Sequence, residues 1–210
     1  MERKSGRLEL FLVVLLGLRF SLLYHPFFSG HRYRSIFWIY VLCTDATTVL
    51  AARYIWKERE LFHIRLPGKQ QMWTWGVGIG FLATLLNVGI RWISHGTRPE
   101  FVDAWYLQII LLPVVQFIVA ATAEEPFFRG LLWGYLKLLG RPDWAILLVQ
   151  SLLFFAAHAY YATPGLYANW LSTLLMGLLF GISAWKTRSI LPSMVAHAMV
   201  NGLSQTFLPR

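Results

Sequence analysis

Along the chain, apolar stretches of 17 residues or more alternate with short polar or basic breaks. The long runs fall near 8–24, 35–55, 72–93, 114–137, 144–161, 168–185 and 189–207. A helix rises 1.5 Å per residue, so runs of about 20 apolar residues match the hydrocarbon thickness of a bilayer. A shorter apolar stretch, 104–113, ends at Pro113 and reads either as an interfacial or re-entrant piece or as an early extension of the fourth helix. The pattern predicts an all-α, polytopic membrane bundle of about 7–8 transmembrane helices. It contains no internal repeat, low-complexity tract or linker, so residues 1–210 read as a single membrane domain. The first run follows the basic segment Met1–Arg7, as in a signal peptide. However, Tyr24-His25-Pro26 is no small-residue cleavage site, and the expectation is a retained first helix.

Composition strengthens this reading. Hydrophobic residues make up 57% of the chain and charged residues only 14%, against about a quarter in ordinary soluble domains. A water-soluble chain of this length could not cover so much apolar surface with a polar exterior. Ten Trp, nine Tyr and fifteen Phe suit the two bilayer interfaces. The net charge of +9 is spread over short loops rather than gathered into a stripe, which speaks for anionic headgroups and against nucleic acid. With the N-terminus on the cytoplasmic side, twelve Lys and Arg fall on that side and four on the other, so a cell-membrane location with this orientation is expected. The loop 57–70 is the most polar stretch and is expected to be solvated. Cys43 stands alone, which excludes an internal disulfide and any multi-cysteine metal site.

Charges inside apolar runs then become the informative residues, because a charge at bilayer depth is costly. Glu9 and Arg91 lie near helix ends and can snorkel, while Arg19 and Asp45 have no partner that the sequence reveals. Glu124 and Glu125 are adjacent within AATAEEPFFRG. Glu125 and Arg129 are four apart and share a helix face, whereas Glu124 points about 100° away. One reading locks both glutamates onto Arg129 as a purely structural brace. The other leaves Glu124 free for acid–base chemistry.

Two histidines favour the second reading. His158 follows Phe154 by one turn, and His197 precedes Asn201 by one turn. Counted from the basic end of each run, Glu124 lies about 20 Å from Lys137 and His158 about 22 Å from Asp143. His197 lies about 14 Å and Asn201 about 20 Å from Arg188 on the same rise. Three helices of alternating direction thus bring four polar groups to broadly one depth. A carboxylate and an imidazole can hold and deprotonate a water. A second imidazole and a carboxamide can donate to a tetrahedral intermediate's oxygen. Neither Ser151 nor Ser193 is placed as a nucleophile, so hydrolysis of a peptide bond without a covalent intermediate fits best.

These motifs, Glu124-Glu125-x-x-x-Arg129-Gly130, Phe154-x-x-x-His158 and His197-x-x-x-Asn201, resemble in order and separation the CPBP family of intramembrane proteases. That family comprises the CAAX prenyl endopeptidases and the bacteriocin-processing, Abi-like proteins. The resemblance covers about residues 114–205, with residues 1–113 as divergent N-terminal helices. It implies that Glu124 and His158 activate the water, that His197 and Asn201 form the oxyanion hole, and that Glu125 and Arg129 support them. It implies no cofactor, although zinc could use Glu124, His158 and His197. No HExxH pair favours that ion. The implied partners are membrane lipid and a membrane-associated protein or peptide, cleaved in CAAX-type or leader processing. The oligomeric state is not legible. Two other functions share these features: a non-catalytic immunity or binding protein, and a proton-coupled transporter using the buried carboxylates.

Overall fold

The computed structural model describes His63 and residues 65–96, 99–101, 104–162 and 166–209. The expected first two helices, with Glu9, Arg19, Cys43 and Asp45, lie outside the described residues, as does the N-terminal orientation built on them. The described chain is a bundle of five helical stretches: α1 (Lys69–Ser94), α2 (Trp105–Leu138), α3 (Asp143–Ala157), α4 (Tyr167–Thr187) and α5 (Ile190–Gln205). A three-residue antiparallel pairing of β1 (Pro99–Phe101) with β2 (Phe207–Pro209) ties the chain just after α5 to the α1–α2 connection.

Three of the stretches, α1, α2 and α4, are long and apolar enough to cross a membrane. The apolar piece 104–113 is no separate element, because α2 runs without interruption over 34 residues. Its two internal prolines explain how. Each lacks an N–H and crowds the preceding turn. The helix answers by widening into π-type turns over Phe117–Ala121 and Pro126–Leu132 rather than breaking. α3 is shorter than its apolar run because it stops at Ala157, and His158 caps it with φ −98° and ψ 14°. The turn between α2 and α3 is held by Lys137 Nζ on Asp143 Oδ1 at 2.9 Å, with Arg188 Nη2 at 3.8 Å from Oδ2.

The inner surfaces pack around Phe127, Phe128, Leu131, Phe154, Phe180 and Val200. Outward-facing side chains are apolar as well: Leu85, Ile93, Ile110, Leu111 and Leu171 are all well exposed. Water would penalise such a surface, and lipid does not. With lipid outside, helices associate through close backbone approach rather than through apolar burial. At Gly202 a methyl group would overlap the backbone of Pro113, so α5 lies directly on α2 there. At Gly177 it would come within 3.1 Å of Ser151 Cα, seating α4 on α3. Both contacts flank the polar centre of the bundle.

Gly202→Ala is therefore expected to destabilise the bundle by about 1–3 kcal/mol through enforced separation of α5 from α2. Gly89→Ala, whose methyl would meet open space, should leave stability unchanged or slightly raised. Thermal unfolding of both variants in detergent checks the contrast.

Candidate active site

The polar centre begins with a buried ion pair. Arg129 Nη1 donates to Glu125 Oε1 at 3.1 Å, with both side chains fully buried. Four residues separate them, as the helical spacing requires. Arg129 is held further by its Nη2 on the carbonyl of Gly177 at 3.3 Å and by the ring of Phe154, whose centroid lies 4.3 Å from the guanidinium carbon. The rings of Phe128 and Phe180 lie 5.7 and 5.6 Å from the same carbon. A guanidinium in a dry interior needs such a set of acceptors and π faces. The Gly177 carbonyl also accepts from Gln150 Nε2 at 3.1 Å, so one backbone oxygen joins α2, α3 and α4.

Glu125 does more than pair with Arg129. His197 Nδ1 lies 2.8 Å from the same Glu125 oxygen, which carries the interaction from α2 to α5. The His197 ring stacks on Phe180 at 5.0 Å and 20°, with the edge of Phe154 at 6.0 Å. Nothing in the spacing of the motifs pointed to this bond, since the sequence relates His197 only to Asn201.

Glu124 faces the other histidine. Its Oε2 is 3.6 Å from His158 Nε2, and that oxygen is buried without a hydrogen bond. His158 Nδ1 is 2.8 Å from the Phe154 carbonyl. A carbonyl can only accept, so Nδ1 carries a proton, and Nε2 is the ring nitrogen turned towards Glu124. The residue's place as the cap of α3 sets this proton: the last turn of the helix leaves the Phe154 carbonyl free to receive the ring N–H. Phe154 thus serves three ways, as hydrogen-bond acceptor for His158, as a ring 4.5 Å from it, and as a lid on Arg129.

Asn201, one turn beyond His197, donates from Nδ2 to Gln116 Oε1 at 3.4 Å. Sequence reading missed Gln116. The available signal is a lone carboxamide in the apolar run 109–121, two turns before Glu124. The Gly202–Pro113 approach places the two carboxamides beside each other.

His63 was missed for another reason. It belongs to the polar loop 57–70, yet its side chain is fully buried while Arg65, Leu66 and Gly68 are exposed. Its Nδ1–H donates to the Arg129 carbonyl at 3.0 Å, its own carbonyl accepts from Ile190 N–H at 2.9 Å, and its ring lies 5.0 Å from Trp133. His63 thus anchors its backbone and ring in the bundle, while the described residues just after it are exposed.

The structure therefore brings together Glu124 with His158 and Glu125 with Arg129 and His197, with Asn201 one turn beyond on α5. Of the two glutamates, Glu125 holds an ion pair with Arg129, as the helical spacing predicts. Among the described residues, no three His, Cys, Asp or Glu side chains converge as a metal-ligand set. His197 is bound through Nδ1 to Glu125.

Residues 105–203 match the family of type II CAAX prenyl endopeptidase Rce1-like proteins. The match spans α2 to α5 and includes every residue of the polar centre except His63. No curated protein and no solved structure matches the chain.

Burial, with the nearby Arg188 cation, lowers the His63 pKa from 6.5 to about 4. Its folded-state value lies below its unfolded one, so its contribution to stability is complete above pH 6.5. That contribution is lost as pH falls towards 4, by roughly 3 kcal/mol in all. His63→Gln is expected to flatten the fall in unfolding temperature between pH 6.5 and 4.5, measured in detergent by tryptophan fluorescence.

Proposed function

Because residues 105–203 belong with the CAAX prenyl endopeptidase family, a family of membrane proteases, we propose that this protein is a multi-pass intramembrane endopeptidase. In this reading the two helices expected at 8–24 and 35–55 complete a bundle of about seven, with a cytoplasmic N-terminus. The substrate is a membrane-associated protein or peptide, processed in CAAX-type or leader fashion. The observation that carries the proposal is the facing pair of Glu124 and His158.

At 3.6 Å the two groups are too far apart for a direct hydrogen bond, and close enough for one water about 2.8 Å from each. His158 offers an unprotonated Nε2 and Glu124 an unbonded carboxylate oxygen, both acceptors for the protons of that water. The water oxygen then attacks the substrate carbonyl carbon as its proton passes to this pair. When the C–N bond breaks, the same proton goes to the departing amine. The second proton of the water stays with the new carboxyl group, the oxyanion's electron pair re-forms the C=O bond and the C–N pair leaves on the amine, so no covalent enzyme intermediate is required.

The developing oxyanion falls to His197 and Asn201. His197 is already bound through Nδ1 to Glu125, so donation from Nε2 requires a doubly protonated ring. The Glu125 carboxylate beside it balances that charge, while Arg129 holds the carboxylate in place. Glu125 is thus a positioning residue for His197 as well as the partner of Arg129. Gln116 has the corresponding role for Asn201: it ties one N–H of the carboxamide and leaves the other to the substrate oxygen.

Glu124→Gln keeps the shape and removes the base, and is expected to lower peptide cleavage by purified protein at least a hundredfold with the unfolding temperature nearly unchanged. Cleavage that survives Glu124→Gln, or that disappears with a strong chelator and returns with zinc, would sink the water-activation mechanism. Gln116→Met removes the acceptor without changing length. Its expected signature is about a tenfold drop in kcat with KM little changed, read from steady-state kinetics on the same peptide.

A further inference from the structure

His63 is fully buried beside the polar centre, takes no part in the water-activation mechanism and lies outside the matched stretch 105–203. Its backbone is unusual. With φ +56° it occupies the left-handed region, where residues with a side chain are uncommon and His, Asn and Asp are the better tolerated. Such a conformation persists only where its surroundings hold it, and here three contacts do so. Nδ1 donates to the Arg129 carbonyl at 3.0 Å, the His63 carbonyl accepts from the N–H of Ile190 at 2.9 Å, and the ring lies 5.0 Å from that of Trp133. One residue thus bonds to two backbones of the bundle, α2 and α5.

In a regular helix the N–H of Trp133 would reach the Arg129 carbonyl. In α2 it donates to Gly130 instead. Arg129 lies within the widened turn Pro126–Leu132, and its carbonyl is the one that His63 holds. A widened turn takes up one residue more than an α turn, which rotates the chain before it by about 100° against the chain after it. Glu124 and Glu125 stand just before this turn. Trp133 and Lys137, which fix the other half of α2 against His63 and Asp143, stand just after it. About 100° is also the angle between adjacent helix residues, so the turn decides which carboxylate faces α3 and which faces α5. The second bond acts on α5. Ile190 opens that helix, and His197 follows seven residues later, two turns along the same side. His63 thereby ties together the two backbones whose side chains meet at 2.8 Å between Glu125 and His197.

We propose that His63 is a positioning residue of the active site: by holding the widened turn of α2 at Arg129 and the first turn of α5 at Ile190, it sets the approach of Glu125 to His197 and the facing of Glu124 and His158. It acts through those groups and not on the substrate. Its donor is what matters, because an apolar ring or chain of the same bulk fills the space and leaves the Arg129 carbonyl without this bond. The catalytic consequence rests on the peptidase reading. The geometric one does not, and the two are measured separately.

Three variants of the full chain in lipid nanodiscs test this. His63→Asn keeps a donor at the place of Nδ1 and suits a positive φ. His63→Gln carries its amide one bond further out, and His63→Leu keeps apolar bulk without a donor. The geometric readout is the imidazole N–H resonance of His197 in protein made with isotopically labelled histidine, identified by its loss in His197→Gln. It is expected to stay in place in His63→Asn, and to shift or be lost to exchange in His63→Leu and His63→Gln. The catalytic readout is steady-state cleavage of the same peptide, per folded molecule, at a temperature where each variant is folded. His63→Leu and His63→Gln are expected to lower kcat at least about tenfold with KM within about twofold, and His63→Asn to restore most of it. A merely structural clasp would lower the unfolding temperature but leave the His197 resonance and kcat per folded molecule unmoved, and that result would overturn the proposal. So would a His63→Asn variant that behaves like His63→Leu, or a reduced kcat with an unmoved resonance. Should His63→Leu fail to fold, the contrast between Asn and Gln decides. A resonance that moves as expected, in a protein whose unsubstituted form cleaves no peptide, would sink the peptidase reading and leave the positioning role standing. Cleavage by the unsubstituted protein with no change in any variant would do the reverse.

Discussion

A single carboxylate oxygen, Glu125 Oε1, bears two interactions that cross the bundle. It accepts from Arg129 at 3.1 Å and lies 2.8 Å from His197 Nδ1. Every partner is buried, so removing any one leaves a charge or a strong donor without solvent, at a cost of several kcal/mol. The neighbouring packing is built to tolerate this centre. Three phenylalanine rings surround the guanidinium, and the Gly177 carbonyl ties it to α4. His63 closes the far side through the Arg129 carbonyl. The position of each potential reacting group depends on this lock, including that of Glu124, the adjacent residue on the same helix.

The two histidines illustrate how backbone conformation sets chemistry. They are the same residue type at similar depth, but one caps a helix and the other lies within one. His158 takes its proton position from the free carbonyl at the end of α3. His197 takes its own from a carboxylate on another helix. Both rings direct Nδ1 at an acceptor, a neutral backbone carbonyl for His158 and a buried carboxylate for His197, so two identical side chains sit in different electrostatic surroundings. The widened turns of α2 serve the same end. They absorb Pro113 and Pro126 and let one continuous helix carry Gln116, Glu124, Glu125 and Arg129 to the centre.

Much of this was legible from the residues alone. The membrane bundle follows from apolar runs too long and too numerous for a core. The Glu125–Arg129 pair follows from a spacing of four, and the shared depth of Glu124 and His158 from helical rise. Each of these inferences uses only local geometry, which an isolated helix already possesses. The breaks were harder to read. Pro113 left open whether 104–113 was a separate piece or an extension of the fourth helix, which α2 proves to be, and the apolar run through Tyr161 concealed the end of α3 at Ala157.

Contacts between helices were not legible. Glu125 to His197 spans 72 residues, Asn201 to Gln116 spans 85, and His63 to Arg129 spans 66. Such bonds depend on how helices rotate and how closely they approach, and those are set by small residues such as Gly177 and Gly202 at the crossing points. The amino-acid sequence determined that two carboxylates, two imidazoles and a carboxamide would lie at one level inside an apolar bundle. Tertiary structure alone decided which carboxylate met which imidazole, because a rotation of about 100° separates Glu124 from Glu125 and only packing against α3 and α5 fixes that rotation.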